Sequence, residues 1–365
     1  FIQNEIIASV EFSTTEPNIA YAGSSNKIFR SEDGGENWEL VSGDEMHGWG
    51  MPGVRAGFPI DFQVDPREPN RIFANNYGGG NFLSEDGGRT WINASRGYTG
   101  AQIRDIVVDP NEPGRVVAVA RSGIFISLDG GMNWQGIGNP PVTVLEWNAV
   151  DINPSDGNQI IAGTNWNNRI AISDDSGETW EFVHHLPDFF GLRTLIYAPS
   201  DPNIIYAGSA GYFSAGSFDD RRPGMGVFKS VNDSLNWQEA NDSLTEEAAI
   251  ARLAIHPNNP EILYAASVNT GLMFSENGGD SWEILGGGLP ESSATSVIIN
   301  PYDPQLLLAG FYGQALYSSN DAGQTWQRSA VGMPPEASIM DIAFDPTQPN
   351  KVIYAADFFS GVYRS

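Results

Sequence analysis

Ser31-Glu-Asp33-Gly-Gly35-Glu-Asn37-Trp38 returns six more times along this 365-residue chain, at Ser84 to Trp91, Ser127 to Trp134, Ser173 to Trp180, Ser230 to Trp237, Ser275 to Trp282 and Ser319 to Trp326. The shared pattern is Ser-x-Asp-x-Gly-x-Thr/Asn/Ser-Trp, and the tryptophans stand 53, 43, 46, 57, 45 and 44 residues apart. A period of this size marks a repeat architecture, in which each unit buries its apolar surface against the next.

Each copy sits between two β-type runs, for example Gly271-Leu-Met-Phe274 before and Trp282-Glu-Ile-Leu285 after. Such runs joined by Asp-Gly or Gly-Gly form a hairpin. The Asp carboxylate accepts amides of its own turn, Gly supplies the positive φ, and Trp covers the hairpin. Upstream lie two further strand signals around a Pro-rich turn, such as Ile106-Val-Val-Asp-Pro110 followed by Arg115-Val-Val-Ala-Val119. One repeat is therefore strand A, turn, strand B, loop, strand C, box, strand D, which is a propeller blade. Eight A–B–C units and seven D strands are predicted. The reading is an all-β, eight-bladed β-propeller of four-stranded blades, with a seven-bladed ring as the alternative, filling residues 1–365 as one domain.

The motif resembles the Asp-box, or BNR, repeat of β-propellers, whose members include sialidases, xyloglucanase-type glycoside hydrolases, sortilin receptors and photosystem II assembly factors. In that family the box is a structural turn away from the active face. Asn277 replaces Asp in the sixth copy, and Asn232 and Ser234 replace Asp and Gly in the fifth, so those two turns are expected to be the least regular.

Composition narrows the partners. Net charge is −26 with a pI near 4.3, which argues against nucleic acid, because a nucleic-acid binder needs a cationic face. It equally disfavours anionic membrane surfaces, and no apolar run is long enough to insert in a bilayer. The acidity suits solubility alone or a cationic partner. With no cysteine there is no disulfide framework and no thiolate chemistry. The first residue is Phe, so we expect a removed leader or a trimmed chain, and a secreted protein, extracellular or periplasmic. Three Asn-x-Ser sequons, at Asn93, Asn232 and Asn241, are short enough to arise by chance.

Candidate site residues come from registering each A strand on its Asp/Asn-Pro turn. Apolar side chains dominate two and four residues before the Pro (Ile106 and Val108, Leu253 and Ile255), and these are assigned to the blade interfaces. Alternate positions are then assigned to the channel. That places Asp61, Asp105 and Asp341 at one side of the channel mouth, with Arg252 further round. Convergent carboxylates suit an acid, base or nucleophile role or oxygen ligation of a cation; solvated channel residues are the bland alternative. The long loops carry Trp49, Arg55, Tyr77, Trp166, Tyr212, Tyr312 and Phe358, rings and a guanidinium that suit a sugar or a protein surface. Neither a metal nor an organic cofactor is expected: His184-His185 points two ways in an extended loop, with no ligand cluster beside it.

The resemblance tests its own chemistries. A sialidase implies Arg-Ile-Pro near its start, which is not in this sequence. A xyloglucanase-type enzyme implies a catalytic Asp in the first B–C loop, where Ser24, Ser25 and Asn26 stand. The leading expectation is a secreted propeller that binds a polysaccharide or protein ligand on its loop-rich face. A glycan-active enzyme using Asp61, Asp105 and Asp341, and a structural part of an extracellular assembly, are the alternatives.

Overall fold

The computed structural model describes residues 2, 5, 7, 9–24, 26–44, 49, 59–76, 81–94, 103–112, 114–120, 123–136, 147–165, 169–183, 191–210, 224–231, 236–244, 248–345 and 352–365, with the backbone alone at 59–61, 76 and 93. Among these, every regular element is a strand, and the strands form eight antiparallel sheets, seven of four strands and one of three. Strand order follows chain order in each, and the sheets are numbered along the chain: 1 (9–42), 2 (59–93), 3 (103–136), 4 (147–182), 5 (192–239), 6 (250–284), 7 (294–328) and 8 (339–364). Sheet 6 is representative: Ile250–Ile255, Leu263–Ser267, Gly271–Ser275 and Glu283–Ile284 are its strands A to D. Sheet 8 consists of Ile339–Phe344, Ile353–Asp357 and Gly361–Arg364, the three-stranded unit that the motif count predicts. This is a propeller-type all-β fold.

The boxes do what their chemistry demands. In the first, Ser31 Oγ accepts the Gly35 amide at 2.8 Å and donates to Asp33 Oδ1 at 2.8 Å. Asp33 in turn accepts the Asn37 amide at 2.8 Å and its side-chain Nδ2 at 2.7 Å. The amides and hydroxyls that converge on these carboxylates hold Asp33, Asp129 and Asp321 down at about 2. Two successive residues of the turn take positive φ, Gly34 and Gly35 in the first copy. Glycine does so without a Cβ penalty, yet the first of these positions is Ser176 in the fourth copy and Ala322 in the seventh.

The sixth box corrects the sequence expectation. With Asn277 for Asp, it keeps the same turn: Gly279 N reaches Ser275 Oγ at 2.9 Å and Ser281 N reaches Asn277 Oδ1 at 2.9 Å. An amide oxygen accepts as a carboxylate does, so the geometry survives the exchange. The fifth box, at 232–235, lies outside the described residues.

The chain divides into two compact units, one of residues 1–164 and 170–182, the other of 165–169 and 183–365. In the first, Tyr21, Ile28, Phe62, Ile72 and Trp91 make one core cluster, and Val117, Ile124, Trp147, Val150 and Ile160 another. In the second, cores lie between sheets 5 and 6 (Tyr206, Leu253, Ile255, Trp282), sheets 6 and 7 (Tyr264, Val297, Phe311, Trp326) and sheets 7 and 8 (Leu308, Ile339, Ile342). A buried Trp removes about 150–250 Å² from water, on the order of 4–6 kcal/mol as an upper figure.

These cores keep Leu253, Ile255 and Ile342 at the sheet interfaces, as assigned, but overturn the channel assignment of the position three before the Pro. A blade shows one face to each neighbour, so both alternating sets of side chains can pack between sheets. Leu253 and Ile255 pack toward sheet 5, while Ala254 joins the cluster with Val297 and Ile299 of sheet 7. Val107, assigned to the channel, packs against the cluster of Val117 and Trp147, whereas Ile106, assigned to an interface, is 53% exposed.

Small residues let the sheets approach. A Cβ on Gly208 would meet the methyls of Ile250 and Thr194 at 2.6 Å, and one on Gly310 would meet Ile339 at 2.8 Å. Tyrosines of strand B tie one sheet to the next: Tyr21 donates to Pro69 O at 2.8 Å, Tyr206 to Pro260 O at 3.0 Å and Tyr264 to Ala322 O at 2.8 Å.

Candidate functional site

Strand A carries a β-bulge near its start in sheets 2 to 8. The skipped residues are 60, 104, 148, 193, 251, 295 and 340. A bulge bends the strand and re-aims the side chain beside it. The residue just after it is Asp61, Asp105, Ala149, Thr194, Arg252, Ser296 or Asp341, which includes all four charged channel candidates read from the sequence. The B–C turns lie at this end of each sheet, and the boxes at the other.

In the second unit two of these charges meet. Arg252 of sheet 6 places Nη2 3.0 Å from Asp341 Oδ1 of sheet 8. The equivalent position in sheet 7 is Ser296, a short side chain that is buried. The pair is about one-third to one-half exposed, at 29% and 54%, so it is a solvent-facing rim feature worth about 0–1 kcal/mol to the fold. Beside it, the B–C turn of sheet 8 presents Phe358 and Phe359 edge to face, centroids 4.9 Å apart. Phe359 is 70% exposed. Asp357 fixes that turn by accepting the Ser338 amide at 2.6 Å, the Ser360 amide at 2.9 Å and the Ser360 hydroxyl at 2.5 Å. Burial works against its ionisation, but these donors outweigh it and hold the carboxyl below its ordinary range. In sheet 7, Tyr312 of the corresponding turn is half-buried, its amide bonded to Ser293 O at 3.0 Å and its carbonyl to Ser292 Oγ at 2.9 Å.

The remaining candidates separate. Asp105, in the first unit, accepts the Ile106 amide at 3.1 Å and the Val150 amide of sheet 4 at 3.2 Å. It clamps a strand-to-strand joint, a structural use of a carboxylate that the sequence reading assigns to chemistry. Asp61 pairs with Asn75 in strand register, and its side chain lies outside the description. Trp49, expected on the ligand face, is instead 1% exposed, packed against Phe82 and Trp91 with centroids 5.4 and 4.9 Å away; a ring of that size gains more from the core than from water. Arg55, Tyr77, Trp166 and Tyr212, with His184 and His185, lie outside the described residues.

Sequence reasoning misses Asp357 and Ser360, whose role shows only once the turn is folded. It also misses the use of Asn241: its Oδ1 accepts the Val227 amide at 2.6 Å and its Nδ2 donates to Met225 O at 3.0 Å. That sequon amide is occupied by the fold. Among the described residues, no three of His, Cys, Asp and Glu gather as metal ligands, and no helix is long and apolar enough to cross a membrane.

The family model Sortilin-Vps10, described as sortilin, neurotensin receptor 3, matches residues 80–188 and 270–362, more than half of the chain. No curated protein matches it in sequence. Among solved structures, the chain is similar to the GH74 enzyme of Niastella koreensis, at 16% identity and a TM-score of 0.52, over 99% of this chain and 58% of that one. It is similar also to YCF48 bound to D1 peptide, at 18% identity and a TM-score of 0.55, over 86% of this chain and 93% of that one. The chain thus spans less than two thirds of the GH74 enzyme, and at these identities the likeness is one of fold.

Proposed function

The chain belongs to the Sortilin-Vps10 family, and from that premise we propose that it is a secreted binding protein that takes a protein ligand on the bulge-bearing ends of sheets 6 to 8. The observation that carries the reading is the Arg252–Asp341 pair beside the exposed Phe358–Phe359 pair. Arginine and exposed aromatic rings are the residues that dominate binding energy at protein interfaces. A rim ion pair adds orientation and register to such a surface. The peptide carried by the YCF48 structure, on the same fold, supports a polypeptide ligand.

A polysaccharide is the second reading, because the solvent-facing ring of Phe359 can stack on a sugar face as readily as on a peptide. Glycan-active catalysis requires two carboxyl groups about 5–10 Å apart; Asp341, the candidate described in this unit, is engaged by Arg252 instead.

The test uses the whole chain, immobilised and probed with a peptide library, a glycan array and a reducing-sugar assay. Capture of peptides that is lost in the Phe358→Ala/Phe359→Ala double variant supports the reading. Equal capture by the double variant, or sugar release that disappears in Asp341→Asn, overturns it.

A further inference from the structure

Residues 253–327 contain seven carboxylates and not one lysine or arginine. They build nearly all of sheets 6 and 7. Three of the carboxylates are engaged by the fold: Glu261 lies 3.3 Å from Lys229, Asp303 accepts the Gln305 amide at 3.3 Å, and Asp321 holds the seventh box. Glu291 is exposed and lies on the loop that leads from Glu283–Ile284 to Ala294–Ile299. Between that loop and the B–C turn of sheet 6 opens a cleft of about 550 Å³. Its walls include Leu272, Leu285, Leu289 and Phe311, and Glu291 is the charged residue that lines it.

The cleft is built rather than incidental. Ser292 and Ser293 spend their hydroxyls on Tyr312 O and Val268 O, at 2.9 and 2.5 Å. Asn269 Oδ1 accepts the Ala249 amide at 2.9 Å and the Ser267 hydroxyl at 2.8 Å. These bonds fix both banks and leave a cleft of mixed polarity, with apolar side chains along part of its wall and Glu291 at its edge.

We propose that this cleft is a subsite for a lysine or arginine side chain of a basic polypeptide partner. The alkyl stem lies along the half-buried Leu285 and Leu289, and the charged head pairs with Glu291. An amphipathic side chain of this kind covers apolar surface while keeping its charge at the edge. The volume falls within the roughly 300–1,000 Å³ of ligand sites, room for the basic residue and its neighbours. The acidic, lysine-free surroundings steer such a partner inward. The inference rests on the protein-ligand reading and names the class of that ligand.

Fluorescence anisotropy of a labelled decapeptide carrying four lysines, with the whole chain, tests it. The peptide is expected to bind, to weaken with salt, and to be lost when its lysines are acetylated. Glu291→Gln should weaken it about twofold to fivefold, the size of an exposed ion pair. Glu276→Gln, an exposed carboxylate of the box end, should leave it unchanged. The proposal is overturned if Glu291→Gln binds like the parent, if Glu276→Gln weakens binding as much, or if the acetylated peptide binds equally. Protein capture by the Phe358→Ala/Phe359→Ala variant is scored separately. Its loss with binding insensitive to Glu291 sinks the cleft and keeps the broader reading.

Discussion

Asn277 gives an Nδ2 hydrogen to the Ser281 hydroxyl oxygen at 2.8 Å, whereas in the equivalent place Asp321 accepts the hydrogen of the Thr325 hydroxyl at 2.6 Å. The two boxes share a turn and differ in the direction of one bond, so they differ in how they meet acid. Converging donors lower the Asp321 carboxyl from 3.8 to about 2. A folded carboxyl lowered in this way stabilises fully above its unfolded value, and that stabilisation is lost as the pH falls toward 2. Asp321→Asn is expected to keep the turn, as Asn277 does, and to flatten this part of the acid dependence. Urea melts between pH 5 and pH 2 measure it; an unchanged acid slope refutes it.

His256 carries a second pH effect, at milder acidity. It occupies the turn position that Asn153 and Asn300 fill elsewhere, and its Nδ1 accepts the Asn258 amide at 3.2 Å. Burial lowers its pKa below the ordinary 6.5. The neutral ring therefore stabilises the fold above 6.5, and the gain is lost as pH falls through the lowered value. His256→Asn should retain the turn and remove that dependence, read as the difference in melting temperature between pH 7.5 and pH 5.

The tyrosine ties are load paths between sheets. Tyr206→Phe removes the 3.0 Å bond to Pro260 O but keeps the ring under Lys229, whose Nζ stands 5.5 Å from its centroid. The expected loss is about 0.5–1.5 kcal/mol, measured by chemical denaturation.

Gly208→Ala should cost more. Its new methyl meets Ile250 and Thr194 at 2.6 Å, and overpacking of this kind costs about 1–3 kcal/mol. Ala207→Gly at the adjacent position, which removes a methyl instead of adding one, separates crowding from simple core damage. A Gly208→Ala protein as stable as the parent would show that the sheets can part without penalty.

Asp341→Asn should leave stability within about 1 kcal/mol, since the pair with Arg252 is solvent-facing. A larger loss, by thermal melt, would show that the rim charge holds sheets 6 and 8 together.

The repeat was legible because its signal is chemical and local: Ser31, Asp33, Gly35 and Trp38 each make a bond within their own turn. Strand order followed from the same period. The direction of side chains was legible only in part: Leu253 and Ile255 pack between sheets as read, but alternation along strand A tells which residues share a face and not what that face meets. Val107 and Ala254 looked like channel residues and pack between sheets. Trp49 looked like a ligand platform because it sits in a long loop, and only the fold shows it returning to the core beside Trp91. Glu291 had a signal that went unread, the long interval without a basic residue.

The bulged place in strand A holds Arg104, Asn148, Arg193, Ala251, Thr295 and Met340 in successive sheets. They range from guanidinium (Arg104, Arg193) through small polar (Asn148, Thr295) to apolar (Ala251, Met340), although the pairing on both flanks repeats faithfully. Where it is buried, as at Asn148 and Thr295, the extra residue belongs to the joint and not to the surface: Thr295 Oγ1 donates to Gly310 O at 3.0 Å and also to Ile339 O of the following sheet. One inserted residue thus serves as the seam between neighbouring sheets, and it turns the residue that follows it, such as Arg252 or Asp341, toward solvent.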